Sequence, residues 1–228
     1  MALPRIFIFI GSPGSGKGTQ AEMLARELSG YIHLDTGRAI KSILLDPRLQ
    51  DDPVIRTQRE RMEKGLIVDS EWVMKIVGNE IKKIGNSGNG IIFSGSPRDR
   101  AQADMLIPIL ESLYGEQSIA AFHLLINKEI SLFRVTHRRV CAKCATPIQW
   151  SEENDALIFC TLCGGELVTR VDDKSEVVVR RISEYERLTE TVLPMIVAMG
   201  IPVFDINGDK PPDTVHASIL KILREKFL

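Results

Sequence analysis

Apolar side chains gather in three short runs: RIFIFI (Arg5 to Ile10), GIIFSG (Gly90 to Gly95) and AAFHLLI (Ala120 to Ile126). Each leads, directly or through a loop, into a stretch with helical spacing: TQAEMLARELSG, which Gly30 closes, AQADMLIPILESLYG and KEISLFRVTHRRV. Short continuous runs predict strands buried on both faces, and the repeated order of strand then helix predicts a parallel sheet with crossover helices. Further on, VVVRRISEYERLTETVLPMIVAMG predicts a charged helix, IPVFDING an edge strand and DTVHASILKILREKFL a final helix. Leu188, Val192, Met195, Ile196 and Met199 fall on one helical stripe expected to face the core, with Pro194 expected to bend or break the helix.

Two regions interrupt this rhythm. Residues near 35 to 68 form a charged helical segment, and residues near 137 to 173 hold all four cysteines among short β-like runs. With 44% hydrophobic residues, 228 residues can bury a large core, which predicts one principal domain carrying smaller inserted pieces. Basic and acidic residues balance at 29 and 30, so no global positive field recruits nucleic acid. No apolar run approaches the length of a membrane span, and MALPRIFIFIG lacks the pattern of a secretory signal. Four cysteines in two close pairs favour a reducing compartment over disulfides, which predicts a cytoplasmic protein.

The segment GSPGSGKGTQ (Gly11 to Gln20) lies between the first predicted strand and helix, where a Gly-x4-Gly-Lys loop binds phosphate. Glycines let the amides of Gly14, Ser15, Gly16 and Gly18 curl around an anion. The helix start adds its positive end, and Lys17 reaches the outer phosphates. Gly18 follows the lysine, so the hydroxyl expected near a metal comes one position later, at Thr19. The loop implies a nucleoside triphosphate without fixing the reaction.

Cys141 and Cys144 enclose two residues, as do Cys160 and Cys163, with 15 residues between the pairs. Two such knuckles can close a tetrahedral thiolate site around zinc, and four protein ligands leave no open position, so the metal is expected to be structural. Disulfides, iron ligation and a nucleic-acid-binding ribbon are competing readings. The ribbon would draw on RVTHRRVCAKC and Trp150, which make a sparse stacking platform.

Phosphoryl transfer between two nucleotides needs several cations around adjoining phosphates. Lys17, Arg98, Arg134, Arg138, Arg170 and Arg181 lie beside element ends or in the cysteine-bearing region. Arg139, Arg180, Arg187 and Arg224 are read as solvated surface charges. His33, His123, His137 and His216 show no partner by spacing.

The segments GSPGSGKGTQAEMLA, HLDTG, GSPRDRAQAD, RVTHRRVC, CGGELVTRVDD, EYERLTETVLP and INGDKP resemble, in order and approximate spacing over nearly the whole chain, the adenylate kinases with a long four-cysteine lid. The resemblance implies an α/β P-loop fold of three layers around a central parallel sheet. It assigns 1–34, 69–136 and 174–228 to the core, 35–68 to a small helical monophosphate-binding insert, and 137–173 to a β-rich zinc-binding lid. It also implies ATP, AMP and ADP as partners, catalytic Mg2+, structural Zn2+ and a monomer that binds neither nucleic acid nor membrane.

The same resemblance places Lys17, Arg98, Arg138, Arg170 and Arg181 among the catalytic cations. Gly14, Ser15, Gly16, Gly18, Thr19, Arg134 and Lys210 are expected with Lys17 and Arg138 at ATP. Thr36, Arg38, Lys41 and Gln102 are expected with Arg98, Arg170 and Arg181 at AMP, and Asp172 and Asp173 in lid closure.

Several positions depart from the family pattern. Its Asp-Gly-Phe-Pro-Arg is here Ser94, Gly95, Ser96, Pro97 and Arg98, losing an acid near the magnesium shell and an aromatic wall beside the acceptor. After Thr36 and Gly37 an acid becomes Arg38 and a phosphate-gripping arginine becomes Lys41, which lacks the planar fork of arginine. Asp35 stands where the family often has serine and is a candidate replacement charge. These changes leave another nucleoside monophosphate (CMP, UMP, GMP or dTMP) open as the acceptor.

Overall fold

The first run forms strand β1 (Ile6–Gly11), and the others form β3 (Gly90–Ser94) and β4 (Ile119–Leu125). Two further strands, β2 (Tyr31–Asp35) and β8 (Val203–Asn207), complete a parallel sheet of order β2-β3-β1-β4-β8 in a computed structural model describing residues 3–144 and 146–228.

Ile6, Ile8, Ile10 and Phe93 pack on one side of the sheet, toward helices α4 (Ser70–Asn86), α5 (Arg100–Tyr114) and α9 (Val192–Ala198). Phe7, Phe9, Ile92 and Phe122 pack on the other, toward α1 (Lys17–Glu27) and α10 (Pro212–Phe227). Covering both faces explains why the strand sequences are continuously apolar. The expected α/β class with a central parallel sheet is therefore present, with β8 at the predicted edge.

Aspartates punctuate the chain. Asp35, Asp52, Asp69 and Asp99 accept backbone N–H groups at the starts of α2 (Thr36–Leu44), α3 (Pro53–Glu63), α4 and α5, satisfying donors that the first turn leaves free. Helices α2 and α3 lie in the 35–68 segment. Helix α6 (Lys128–His137) leads from β4 into a second, antiparallel sheet, where β5 (Arg139–Cys141) lies between β6 (Pro147–Ile148) and β7 (Leu167–Val168). A short helix, α7 (Glu152–Asp155), lies within the same segment.

The long helix expected after the cysteine-bearing segment is divided. Helix α8 (Ser175–Glu184) passes into a π-helical turn, Tyr185–Thr189, before α9 begins. A π turn carries an additional residue and rotates the following face. Val192 and Ile196 are buried as expected, Leu188 and Met195 are half-buried, and Met199 is exposed. Pro194 sits in the first turn of α9, where its missing N–H sacrifices no intrahelical bond; the interruption precedes it. Among the described residues no helix is long and apolar enough to cross a membrane.

Candidate functional site

The glycine-rich loop joins the end of β1 to the start of α1. Gly14 and Gly16 adopt φ of +77° and +93°, and a Cβ on Gly14 would approach the Ser131 carbonyl to 2.9 Å, so both strain and space select glycine there. Lys17 Nζ donates to the carbonyls of Gly11 at 2.6 Å and Ser12 at 2.8 Å. Burial, followed by the charges of Arg98, Arg181 and Arg138, lowers the Lys17 ammonium to about 7, with Asp35 acting in the opposite direction. Such a cation gains by meeting an anion. Gln149 Nε2, from the cysteine-bearing segment, donates to Thr19 Oγ1 at 2.9 Å and ties that segment to the first turn of α1.

Two buried acids organise the cations. Asp173 receives Arg138 through two parallel bonds of 2.6 and 2.7 Å, and Arg181 Nη1 at 3.0 Å. Asp172 receives Arg170 at 3.1 and 2.8 Å, Arg181 Nη1 at 3.2 Å and Lys41 Nζ at 2.6 Å. Burial pushes the Asp172 carboxyl toward protonation, but Arg181, Arg170 and Lys41 outweigh it and hold the group well below the usual range. Burial, then Arg170, lowers Lys41 to about 8 despite Asp172. Arg181 falls to about 10, again mainly through burial. Asp172 and Asp173 thus form the centre of a buried ion-pair hub.

This hub forms one wall of a cleft of about 1050 Å³, including its solvent-open mouth, that is also lined by Lys17, Lys41, Arg98, Gln102, Arg170 and Arg181. Arg98 Nε donates to Gly95 O at 2.9 Å. Arg138 reaches the same hub through Asp173. Arg38 does not line the cleft; its N–H caps onto Asp35 Oδ1 at 3.0 Å and its guanidinium lies 3.7 Å from Asp35 Oδ2.

Uncharged polar side chains lie beside Arg98. Gln102 is buried, and both lone-pair directions of its carbonyl oxygen are used, by Arg98 N–H at 3.0 Å and Ser96 Oγ at 3.2 Å. Its amide nitrogen lies 3.4 Å from Ser70 Oγ. Thr36 is 1% exposed, and its hydroxyl has no hydrogen-bond partner among the described residues. A buried hydroxyl left in this condition is costly.

A smaller recess beside the phosphate loop is lined by Ser15, Gly16, Thr19, Arg134 and Lys210. Arg134 donates to three successive carbonyls, Gly208 at 2.6 Å, Asp209 at 2.9 Å and Lys210 at 3.3 Å. Lys210 therefore meets Arg134 through its backbone.

Spacing did not reveal the histidine partners. His33 Nε2 lies 2.6 Å from Ser94 Oγ and its Nδ1 lies 3.1 Å from Glu22 Oε2. His123 bridges Asp205 at 2.9 Å and Tyr185 at 3.0 Å, and His216 faces Gln20 at 3.2 Å. Arg139 also differs from its expected surface role: half-buried, it donates to the carbonyls of Leu157 and Asn154 and braces the cysteine-bearing segment.

The sulfurs of Cys141, Cys144, Cys160 and Cys163 lie within 4.8 Å of one another. The Cys141–Cys163 and Cys144–Cys160 sulfurs are 3.4 and 3.7 Å apart, too far for disulfides. A tetrahedral zinc with sulfur bonds of about 2.3 Å separates its ligands by about 3.8 Å, so the four thiols fit such an ion. The N–H groups of Lys143 and Cys144 point at Cys141 Sγ, both at 3.4 Å, as in a metal knuckle.

Comparison with known proteins gives a concordant result. The sequence pattern of the family described as Adenylate kinase matches residues 9–200. A protein of Caldicellulosiruptor bescii named Adenylate kinase is 33% identical over 219 residues, covering 95% of this chain and 97% of its own. One of the same name from Novosphingobium aromaticivorans is 35% identical over 218 residues, covering 95% and 97%, and one from Thermotoga neapolitana is 33% identical over 219 residues, covering 95% and 96%.

Proposed function

The chain belongs to the adenylate kinase family, and from that premise we propose that it transfers the terminal phosphoryl group of ATP directly to AMP, giving two ADP. The observation that carries this reading is the convergence of Lys17, Arg98, Arg170 and Arg181 on one cleft. Lys17 and the loop amides hold the donor phosphates. Arg138, Arg170 and Arg181 neutralise oxygens on which charge redistributes during in-line transfer, and Arg98 holds the acceptor phosphate. Lys41 assists from the insert as a point charge.

The acceptor oxygen is already anionic near neutral pH, so no general base is required. Exclusion of water and alignment of the two nucleotides supply the catalysis. Asp172 and Asp173 hold the arginines together as the 137–173 segment closes over the cleft. Thr36 and Gln102 are assigned to the acceptor base, and Arg134 and the Lys210 loop to the donor base.

Hard oxygen donors suit magnesium, and the Thr19 hydroxyl on the first turn of α1 would be one of the groups holding it. When bound, magnesium supplies neutralisation of phosphate charge. Zinc would be held by Cys141, Cys144, Cys160 and Cys163 as a structural ion. Trp150 packs edge-on against Phe133 with ring centres 5.1 Å apart, an arrangement that favours a lid contact over a platform for nucleic-acid bases.

Assaying AMP, CMP, UMP, GMP and dTMP with magnesium-ATP tests the assignment. Rapid ADP formation with AMP alone is expected. Preference for another monophosphate would overturn the acceptor, and ATP binding without transfer to any would overturn the enzymatic reading.

A further inference from the structure

We infer that Asp35 supplies the acidic group that faces the phosphate chain and orients the water shell of its metal, a task for which the end of β3 offers only Ser94. Strands β2 and β3 are parallel and end together, with Asp35 directly opposite Ser94. Register partners share a face of the sheet, so a carboxylate on either strand addresses neighbouring space on the side of α1, which begins with Lys17.

The two side chains have different commitments. Ser94 is buried and its hydroxyl is held by His33, which is held in turn by Glu22. That chain locks the serine into the packing of β2, β3 and α1. The Asp35 side chain remains 29% exposed. Its Oδ1 caps α2, while Oδ2 has only the 3.7 Å approach of Arg38. Oδ1 and Arg98 Nη2 flank Gly37, lying 3.4 and 3.5 Å from where a Cβ on that residue would sit; Gly37 and Arg98 both line the cleft. The charge of Asp35 is also felt at Lys17, where it opposes burial and the arginines. Asp172 and Asp173 are unsuited to the task because arginines already occupy them.

The inference rests on the proposed binding of metal and ATP at this cleft. Asp35 acts as a positioning residue, accepting a hydrogen bond from water on the metal.

The test is calorimetric titration of the full chain with a non-hydrolysable ATP analogue, with and without Mg2+, for the wild type, Asp35→Ser and the double variant Asp35→Ser/Ser94→Asp. Serine remains a good helix cap, so α2 is retained in each. The expected result is that Asp35→Ser reduces the magnesium-dependent gain in affinity about tenfold while leaving metal-free affinity within about twofold, and that the double variant recovers the gain to within about threefold. An unchanged gain in Asp35→Ser, or a loss that the double variant does not recover, overturns the inference while the functional reading stands. A wild type showing no magnesium-dependent gain overturns both.

Discussion

Strand β1 buries Ile6 through Ile10 to 2% exposure or less, whereas among the described residues between 138 and 173 the buried ones are Cys141, Cys160, Asp172 and Asp173. In that second region Trp150, Ile158, Phe159 and Leu162 are exposed. The sheet is held by apolar area removed from water on both faces. The cysteine-bearing segment has no comparable core; it is organised by four thiols at one end and by ion pairs at the other. The first mode supports a persistent scaffold, and the second supports a part that can detach and return without disturbing it.

Loss of the proposed zinc tests the division most severely. Chelation, or Cys160→Ser, should disorganise the segment and withdraw Arg138 and Arg170, lowering turnover at least about a thousandfold. Circular dichroism should show the core transition retained. One shared unfolding transition would show that the two regions are not separable.

A smaller effect is expected at the hub. Asp173→Ala leaves Arg138 and Arg181 confronting each other without their shared acid, which disfavours the closed arrangement. Turnover should fall about tenfold to a hundredfold, while the global unfolding midpoint moves by less than about 4 °C. Equal turnover would remove Asp173 from closure.

The smallest effect is a proton. Lys17 titrates at about 7 in the folded chain against an ordinary 10.5. Between these values the unfolded chain holds the proton that the folded one has released, so the contribution of Lys17 to folding stability rises with pH across that window. Phosphate ligands restore the charged form; ATP binding near pH 7 should therefore take up roughly half a proton, and affinity should weaken as pH rises. Calorimetry in buffers of different ionisation enthalpy measures this, with Lys17→Met as the control. Chelated protein should take up less, because Arg138 no longer presses on Lys17.

The scaffold was legible because its signals are local: apolar runs, a glycine-rich loop and paired cysteines all lie within short windows. The division at Tyr185–Thr189 was not, since a π turn leaves no periodic trace distinct from a helix. The site was legible where motifs carried it. The Lys41–Asp172 pair joins residues 131 apart and the Ser94–His33 contact residues 61 apart, so neither could be read from spacing. Arg139 was misread because its partners are carbonyls, which no side-chain pattern encodes.

The Arg134 clasp has an evolutionary consequence. One guanidinium grips three carbonyls, so α6 is aligned by the path of the main chain at 208–210. Substitution in that loop is limited by other contacts: the Asp209 carboxylate accepts the Asn127 N–H at 3.0 Å at the start of the same helix. Gly208 admits no side chain, because a Cβ would meet the Leu125 and Ser15 carbonyls at 2.9 and 3.1 Å.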